Sequence, residues 1–334
     1  VTDSIAWHHG SVTDLRQPAF QGTAFALRDA FPWRVFDGLA KEGEALGYTA
    51  VFLPEIAGRD ALVALGSLAA ETERLMLGTG VIPMTSRTTG ITAMGAATVQ
   101  ERSSGRMLLG LGTGPAVPGA LDRLRASVVA LRRLFAGERV EVGGRTLKLS
   151  LAIEDPVPIW ISALGPRAMH LAGEVADGVL LNWCSPERVA AATRQLREGA
   201  ESAGRDPASV TIGVYVRASL GADGPAALHA LQVATGEYAS FPAYARQFAA
   251  IGLVDEARAA AAAHAAGRPE EVPEALVRAI CLAGDRGTAR ARMDAFRDAG
   301  ADLPIVYPVA AGDDPAASVS ETLRVLAPGV HSRG

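Results

Sequence analysis

Short apolar runs alternate with amphipathic helical stretches along almost the whole chain, and this alternation leaves few architectures open. The runs are Ala24 to Arg28, Thr49 to Leu53, Leu75 to Val81, Arg106 to Leu111, Pro158 to Ala163, Gly178 to Asn182, Val210 to Val216 and Leu303 to Tyr307. Several are continuously apolar, as strands buried on both faces of a parallel sheet must be. Helices are predicted over Pro32 to Leu46, Asp60 to Glu73, Thr89 to Ser103, Gly119 to Phe135, Gly165 to Ala176 and Pro186 to Ala203. The first begins with a proline in its first turn and stops at Gly47, the usual asymmetry of helix ends. In the fourth, Leu121, Leu124, Val128, Leu131 and Leu134 recur at spacings of three and four, which is one buried face. Eight strands alternating with helices, without a restart, predict an α/β fold of the closed (β/α)8 TIM-barrel type. The rival is a doubly wound open sheet, which usually carries G-x-G-x-x-G after its first strand. The nearest run here, Gly110 to Pro115, follows the fourth strand and lacks the last glycine.

The 334 residues suit one barrel domain spanning 1–334, with inserts at about 115–156 and 221–297. The first insert holds a helix and a hairpin turned at Gly143-Gly144. The second is alanine-rich and helical in pattern, broken by Pro242, Pro269 and Pro273. Both leave from strand C-termini, where a barrel keeps its function and where a lid can sit. Hydrophobic residues make up 49%, enough for a large core. A net charge of −4 implies no basic face, so nucleic acid is not an expected partner. No apolar run reaches a membrane span, and residues 1–20 lack a signal-peptide core. Cys184 and Cys281 stand far apart and read as two buried reduced thiols in a cytoplasmic enzyme. His8 and His9 adjoin in the polar leader, His170 lies inside a helix, and no H-E-x-x-H occurs, so no metal site is expected.

The strand ends then carry the candidates. After the fourth strand, Gly112-Thr113-Gly114 leaves backbone N–H groups open to a phosphate. After the fifth, Ser162-Ala163-Leu164-Gly165 runs into a helix with proline at its first position, so free N–H groups point into the mouth. Two such corners on neighbouring strands point to a phosphorylated ligand. The third strand ends Gly78-Thr79-Gly80-Val81-Ile82-Pro83, where glycines suggest a bulge or a close backbone approach. Glu55 ends the second strand and Asp29 follows the first; each is a candidate acid or base. Asn182 and Trp183 sit at the end of the sixth.

These residues resemble the bacterial luciferase-like superfamily, and within it the F420-dependent oxidoreductases, from about Pro32 to Tyr307. The likeness rests on Leu77-Gly78-Thr79-Gly80-Val81 with Arg87 downstream, and on Gly105 to Gly114. It rests also on Pro158 to Pro166 followed by Leu171 to Gly178, and on Ala301 to Pro308. The resemblance implies an insertion-bearing barrel, usually a homodimer, with a cis peptide at Gly80–Val81 backing the cofactor ring. It places the cofactor phosphate against Gly112, Thr113 and Gly114 and against Ser162, Ala163, Leu164 and Gly165. Gly80, Val81, Pro83, Glu55 and Asn182 then lie around the ring. It implies coenzyme F420, with FMN as the alternative, and hydride transfer to a small organic substrate by reduction of a C=C, C=N or C=O bond. Glu55 and Asp29 are the candidates for the proton. The chain departs from the family by carrying Ile56 after Glu55, where many F420 enzymes have histidine. It also has Pro115 after Gly-Thr-Gly, where the sugar-phosphate dehydrogenases carry an acid. A sugar phosphate is therefore not the expected substrate. An FMN-dependent monooxygenase, a non-redox phosphate-binding barrel and a cofactor-binding protein without turnover remain as rival readings.

Overall fold

The computed structural model describes residues 22–28, 31–115, 117–221 and 223–328. Among them the strands are β1 (Ala24–Ala26), β2 (Ala50–Leu53), β3 (Met76–Thr79), β4 (Ile82–Pro83), β5 (Met107–Gly112) and β6 (Val140–Val142). They continue as β7 (Arg145–Leu147), β8 (Ile159–Ser162), β9 (Gly178–Asn182), β10 (Thr211–Ala218), β11 (Cys281–Leu282) and β12 (Leu303–Pro308). The α-helices are α1 (Trp33–Ala45), α2 (Ala61–Glu71), α3 (Thr89–Arg102), α4 (Ala120–Phe135), α5 (Pro166–Val175) and α6 (Pro186–Ser202). After them come α7 (Gly224–Ala239), α8 (Pro242–Ala250), α9 (Val254–Ala265), α10 (Glu274–Ile280), α11 (Arg286–Asp298) and α12 (Pro315–Val325).

The eight expected strands are all present and pair in parallel as β1–β2–β3–β5–β8–β9–β10–β12, with β12 returning to β1. The sheet therefore closes into a (β/α)8 barrel, and the open-sheet alternative is excluded. Helix starts follow local chemistry. Asp60 accepts from the Val63 N–H at 3.0 Å, and Thr88 and Ser185 cap α3 and α6 in the same way. These caps satisfy donors that the first helical turn leaves free. The predicted Gly143-Gly144 hairpin is the β6–β7 pair.

Side chains fill the barrel interior. Phe52 packs on Trp160 and Tyr215 with ring centroids 5.9 and 6.1 Å apart. Small residues on adjoining strands make room for these rings: a Cβ on Gly78 would lie 2.4 Å from Phe52, and one on Gly178 2.3 Å from Trp160. Between the strands and the outer helices lies a second layer that includes Leu65, Leu109, Leu131, Ile161 and Met169, all fully buried. Each such side chain contributes roughly 1.5–3 kcal/mol of transfer free energy. In α4 the predicted face is the buried one, except that Leu121 is only partly covered.

The end of the barrel away from the strand C-termini is stapled by charge. The Arg106 guanidinium donates to the Ser103, Leu75, Ala69 and Thr72 carbonyls at 2.8–3.0 Å. Asp177, just before β9, pairs with Arg132 and accepts the Ile159 N–H, both at 2.8 Å. Both residues belong to the motifs quoted above, yet they hold strand starts rather than the mouth.

The second insert is helical as expected: α7 to α10 form their own apolar cluster around Leu231, Phe248 and Leu276, and Trp183 joins it. The structure shortens it, however. The chain rejoins the barrel wall at β11, whose Cys281 pairs with Arg217 of β10, and α11 packs on β12 and α6. A two-residue strand is too short to announce itself by periodicity.

Candidate active site

At the C-terminal end of β3 the Gly80–Val81 peptide is cis, as the resemblance implied. The chain then turns into β4, where Ile82 pairs with Leu111 and Pro83 with Gly112. Thr79 pins this bulge: its Oγ1 donates to the Gly110 carbonyl and accepts the Gly110 N–H, both at 2.8 Å. Glycine is needed at the bulge for space. A Cβ on Gly80 would lie 1.8 Å from the Tyr215 hydroxyl oxygen, a distance no side chain tolerates.

Two corners flank the bulge. At the end of β5, Gly114 has φ +69°, and a Cβ there would lie 2.5 Å from Thr85 Oγ1, so both conformation and space favour glycine. At the end of β8, Ser162 to Gly165 lead into α5, whose cap Gly165 makes no side-chain cap hydrogen bond and whose first residue is Pro166. The helix N-terminus is left open to an anion.

These parts meet in one cavity of about 1240 Å³. Nine of the twelve expected cofactor residues line it: Gly80, Val81, Thr113, Gly114, Ser162, Ala163, Leu164, Gly165 and Asn182. Pro83 and Gly112 do not; they form the β4–β5 pair behind the wall, where a Cβ on Gly112 would lie 2.7 Å from Val81.

Glu55 is also placed elsewhere. Its carboxylate accepts from Arg87 Nε and Nη2 at 2.8 and 2.6 Å, from Ser86 Oγ at 3.2 Å and from the Ala61 N–H at 3.2 Å. It lines a separate open cleft with Asp60 and Arg87. A carboxylate gripped on both oxygens by a fork-shaped guanidinium is fixed in place. Asp29, the other candidate acid, lies outside the described residues.

The cavity also gathers side chains that strand-end reasoning missed: Tyr215, Glu187, Arg292, and Tyr244, Arg246 and Gln247 of α8. Asn182 Nδ2 donates to the Tyr244 hydroxyl at 2.8 Å, and its Oδ1 accepts from Arg217. Gln247 Nε2 donates to the Asn182 and Trp183 carbonyls at 2.9 and 2.6 Å. The second insert is thereby tied to the end of β9. Burial raises the Tyr215 and Tyr244 phenols, so both stay protonated at neutral pH. The Tyr215 hydroxyl is buried, faces the bulge and has no hydrogen-bond partner among the described residues. The Ser185 hydroxyl, the Glu187 backbone N–H and Arg292 hold the Glu187 carboxyl below its ordinary range. Burial lowers the Arg292 guanidinium. Cys184 and Cys281 are buried, each thiol pushed up to about 12, which fits the expected inert thiols. Among the described residues no group of three or more His, Cys, Asp or Glu could hold a metal ion. No helix there is long and apolar enough to cross a membrane.

The sequence matches the family model described as luciferase-like monooxygenase over residues 9–303, and the chain belongs to that family. A 5,10-methylenetetrahydromethanopterin reductase of Methanolobus tindarius is 35% identical over 208 residues, 58% of this chain and 64% of that protein. An F420-dependent glucose-6-phosphate dehydrogenase of Nakamurella multipartita is 37% identical over 161 residues, 42% of this chain and 48% of that protein. The chain thus spans between about half and just under two thirds of these curated relatives. Among solved structures, the coenzyme F420-dependent tetrahydromethanopterin reductase of Methanopyrus kandleri superposes with a TM-score of 0.75. It shares 21% identity over 92% of this chain and 98% of that one, a likeness of fold.

Proposed function

We propose that this chain is an F420-dependent oxidoreductase that moves a hydride between the deazaflavin and a small organic substrate, in the sense of reducing a C=C, C=N or C=O bond. One observation carries the reading: a kinked third strand and two anion-ready corners border the same cavity. The residues fit the group. The glycine-built bulge offers a flat backbone surface for a ring, and the orphaned Tyr215 hydroxyl beneath it can donate a hydrogen bond. Thr113 and Gly114 on one side, and Ser162 to Gly165 on the other, would hold a phosphate. The volume exceeds that of an ordinary small-ligand pocket, as a cofactor with a long tail requires. Arg246 and Arg292 would meet the acidic end of that tail.

Bound there, the deazaflavin supplies the hydride. The protein's own tasks are orientation, exclusion of water and management of one proton. Tyr244 suits the last task. Its hydroxyl accepts from Asn182 and so keeps its own proton available toward the cavity it lines. Glu55 instead fixes the loop after β2 through Arg87. We also propose a homodimer formed through α2 and α3, where Val63, Ile91 and Met94 leave an apolar face exposed.

The test is a titration of the purified chain with F420 and, separately, with FMN. Saturable F420 binding, followed by oxidation of bound reduced F420 on adding an acceptor, is the expected result. Saturable FMN binding without F420 binding overturns the proposal and selects the monooxygenase reading.

A further inference from the structure

A second cavity, of about 210 Å³, lies beside the first and is walled by Leu27, Phe31, Trp183, Tyr238 and Tyr307, with Arg28 and Glu237 also on its lining. Into this largely aromatic and aliphatic chamber projects Arg217, the penultimate residue of β10, which is 4% exposed. Its guanidinium is held between rings, 4.4 Å from the centre of Trp183, 4.2 Å from Tyr307 and 5.4 Å from Tyr238. The rings cover the faces of the planar cation, but a guanidinium also carries N–H donors around its edge. One of these goes to Asn182 Oδ1. Among the described residues no carboxylate pairs with Arg217, and no other acceptor takes a hydrogen bond from it. Buried cations elsewhere in proteins are paired. Here the charge is fixed by stacking and its free edge faces a cavity.

The position matters as much as the charge. Asn182, which accepts from Arg217, lines the large cavity, and Tyr215 of that cavity packs edge-on against Tyr307 of the small one at 5.8 Å. The Arg217–Asn182 hydrogen bond and this ring pair join the linings of the two chambers.

We infer that the small cavity is the substrate seat and that Arg217 binds a carboxylate on the substrate, so that the substrate class is a small organic acid with an apolar body. The inference rests on the reading of the large cavity as the cofactor seat. Arginine fits because its fork matches a carboxylate on two parallel hydrogen bonds while its faces stay on the aromatic rings. The aromatic and aliphatic part of the lining accepts the rest of the molecule, and the size limits it to a compact one.

The probes are benzoate and its neutral counterpart benzamide, read by calorimetry and by the fluorescence of Trp183 against which Arg217 rests. The wild-type protein with F420 present is expected to bind benzoate at least about tenfold more tightly than benzamide. Arg217→Met should abolish that preference while F420 affinity stays within about threefold. Arg217→Lys keeps the charge but not the fork, and should recover only part of the preference. Equal binding of the two probes to wild type overturns the proposal without needing any variant to fold. So does a benzoate preference that survives in Arg217→Met. Loss of F420 affinity in Arg217→Met with the benzoate preference retained would assign Arg217 to positioning Asn182 instead. Charge-selective benzoate binding in a chain that does not bind F420 would leave the anion seat standing and remove the cofactor reading.

Discussion

Replacing Tyr215 by Phe separates what the empty fold wants from what the bound cofactor wants. The hydroxyl is buried beneath the Gly80 bulge, unpartnered among the described residues. Leaving such a group without a hydrogen bond costs about 1–3 kcal/mol. The substitution removes the oxygen and keeps the ring, so the contacts to Phe52 at 6.1 Å and Tyr307 at 5.8 Å survive. Only an oxygen-sized gap is left, which returns part of the gain. A net stabilisation of about 1 kcal/mol follows, a rise of roughly 2 °C in Tm for a chain of this length. In the complex the sign reverses. A hydroxyl that donates to the ring contributes about 0.5–1.5 kcal/mol, so Tyr215→Phe should bind F420 roughly 2- to 12-fold more weakly. Thermal unfolding with and without saturating F420 reads both effects, because the ligand-induced rise in Tm shrinks with affinity. A lower Tm for the ligand-free variant would show that the hydroxyl already has a partner, such as a trapped water. An unchanged F420 affinity would remove Tyr215 from the ring seat.

Glu55→Gln breaks a largely buried ion pair outside the cavity, so it should cost roughly 1–3 kcal/mol of stability. F420 affinity and turnover should stay within about twofold, and a hundredfold loss of turnover would return Glu55 to the chemistry. Burial acts to raise the Glu44 carboxyl, but its bonds from the Arg74, Leu75 and Glu73 N–H groups outweigh this and lower it. Its folded pKa is therefore below the unfolded one, so its contribution is present above the unfolded pKa and is lost as pH falls through the folded value. Glu44→Gln should flatten the acid limb of stability against pH, and an unaltered limb would refute this. In the proposed homodimer, Val63→Glu on the exposed face of α2 should shift the elution volume from dimer to monomer without changing the unfolding cooperativity of the chain; a monomeric wild type would refute the dimer, and an unshifted dimer would place the interface elsewhere.

The barrel was legible because its elements carry their own patterns. Buried strands such as Met107–Gly112 and helices such as Ala120–Phe135 show in sequence the faces they bury, and a (β/α) alternation has few closed solutions. What escaped was short or tertiary. The strand Cys281–Leu282 has two residues and exists because β10 offers it an edge. Arg106 and Asp177 stand inside the motifs that mark the mouth, but they serve the opposite end, since each precedes its strand.

The same division runs through the site. The proposed cofactor seat is built mainly from backbone, so it leaves a trace in the sequence: glycines and small residues at the ends of β3, β5 and β8. The substrate seat inferred around Arg217 is built from side chains that distant elements bring together, and such sets have no spacing to recognise. Glu55 was a reasonable candidate by position, yet Arg87 lies 32 residues on and captures it. Arg217 left one trace, a charged residue near the end of an otherwise apolar strand, two positions after Tyr215 and therefore on the same face. What makes that charge tolerable is the box of Trp183, Tyr238 and Tyr307, drawn from the residue after β9, from α7 and from β12. A barrel of this kind can therefore keep its backbone-built corners while the inserts re-choose the side chains opposite them. The acid specificity inferred for Arg217 should move with the end of β10 and with α7, not with the glycines.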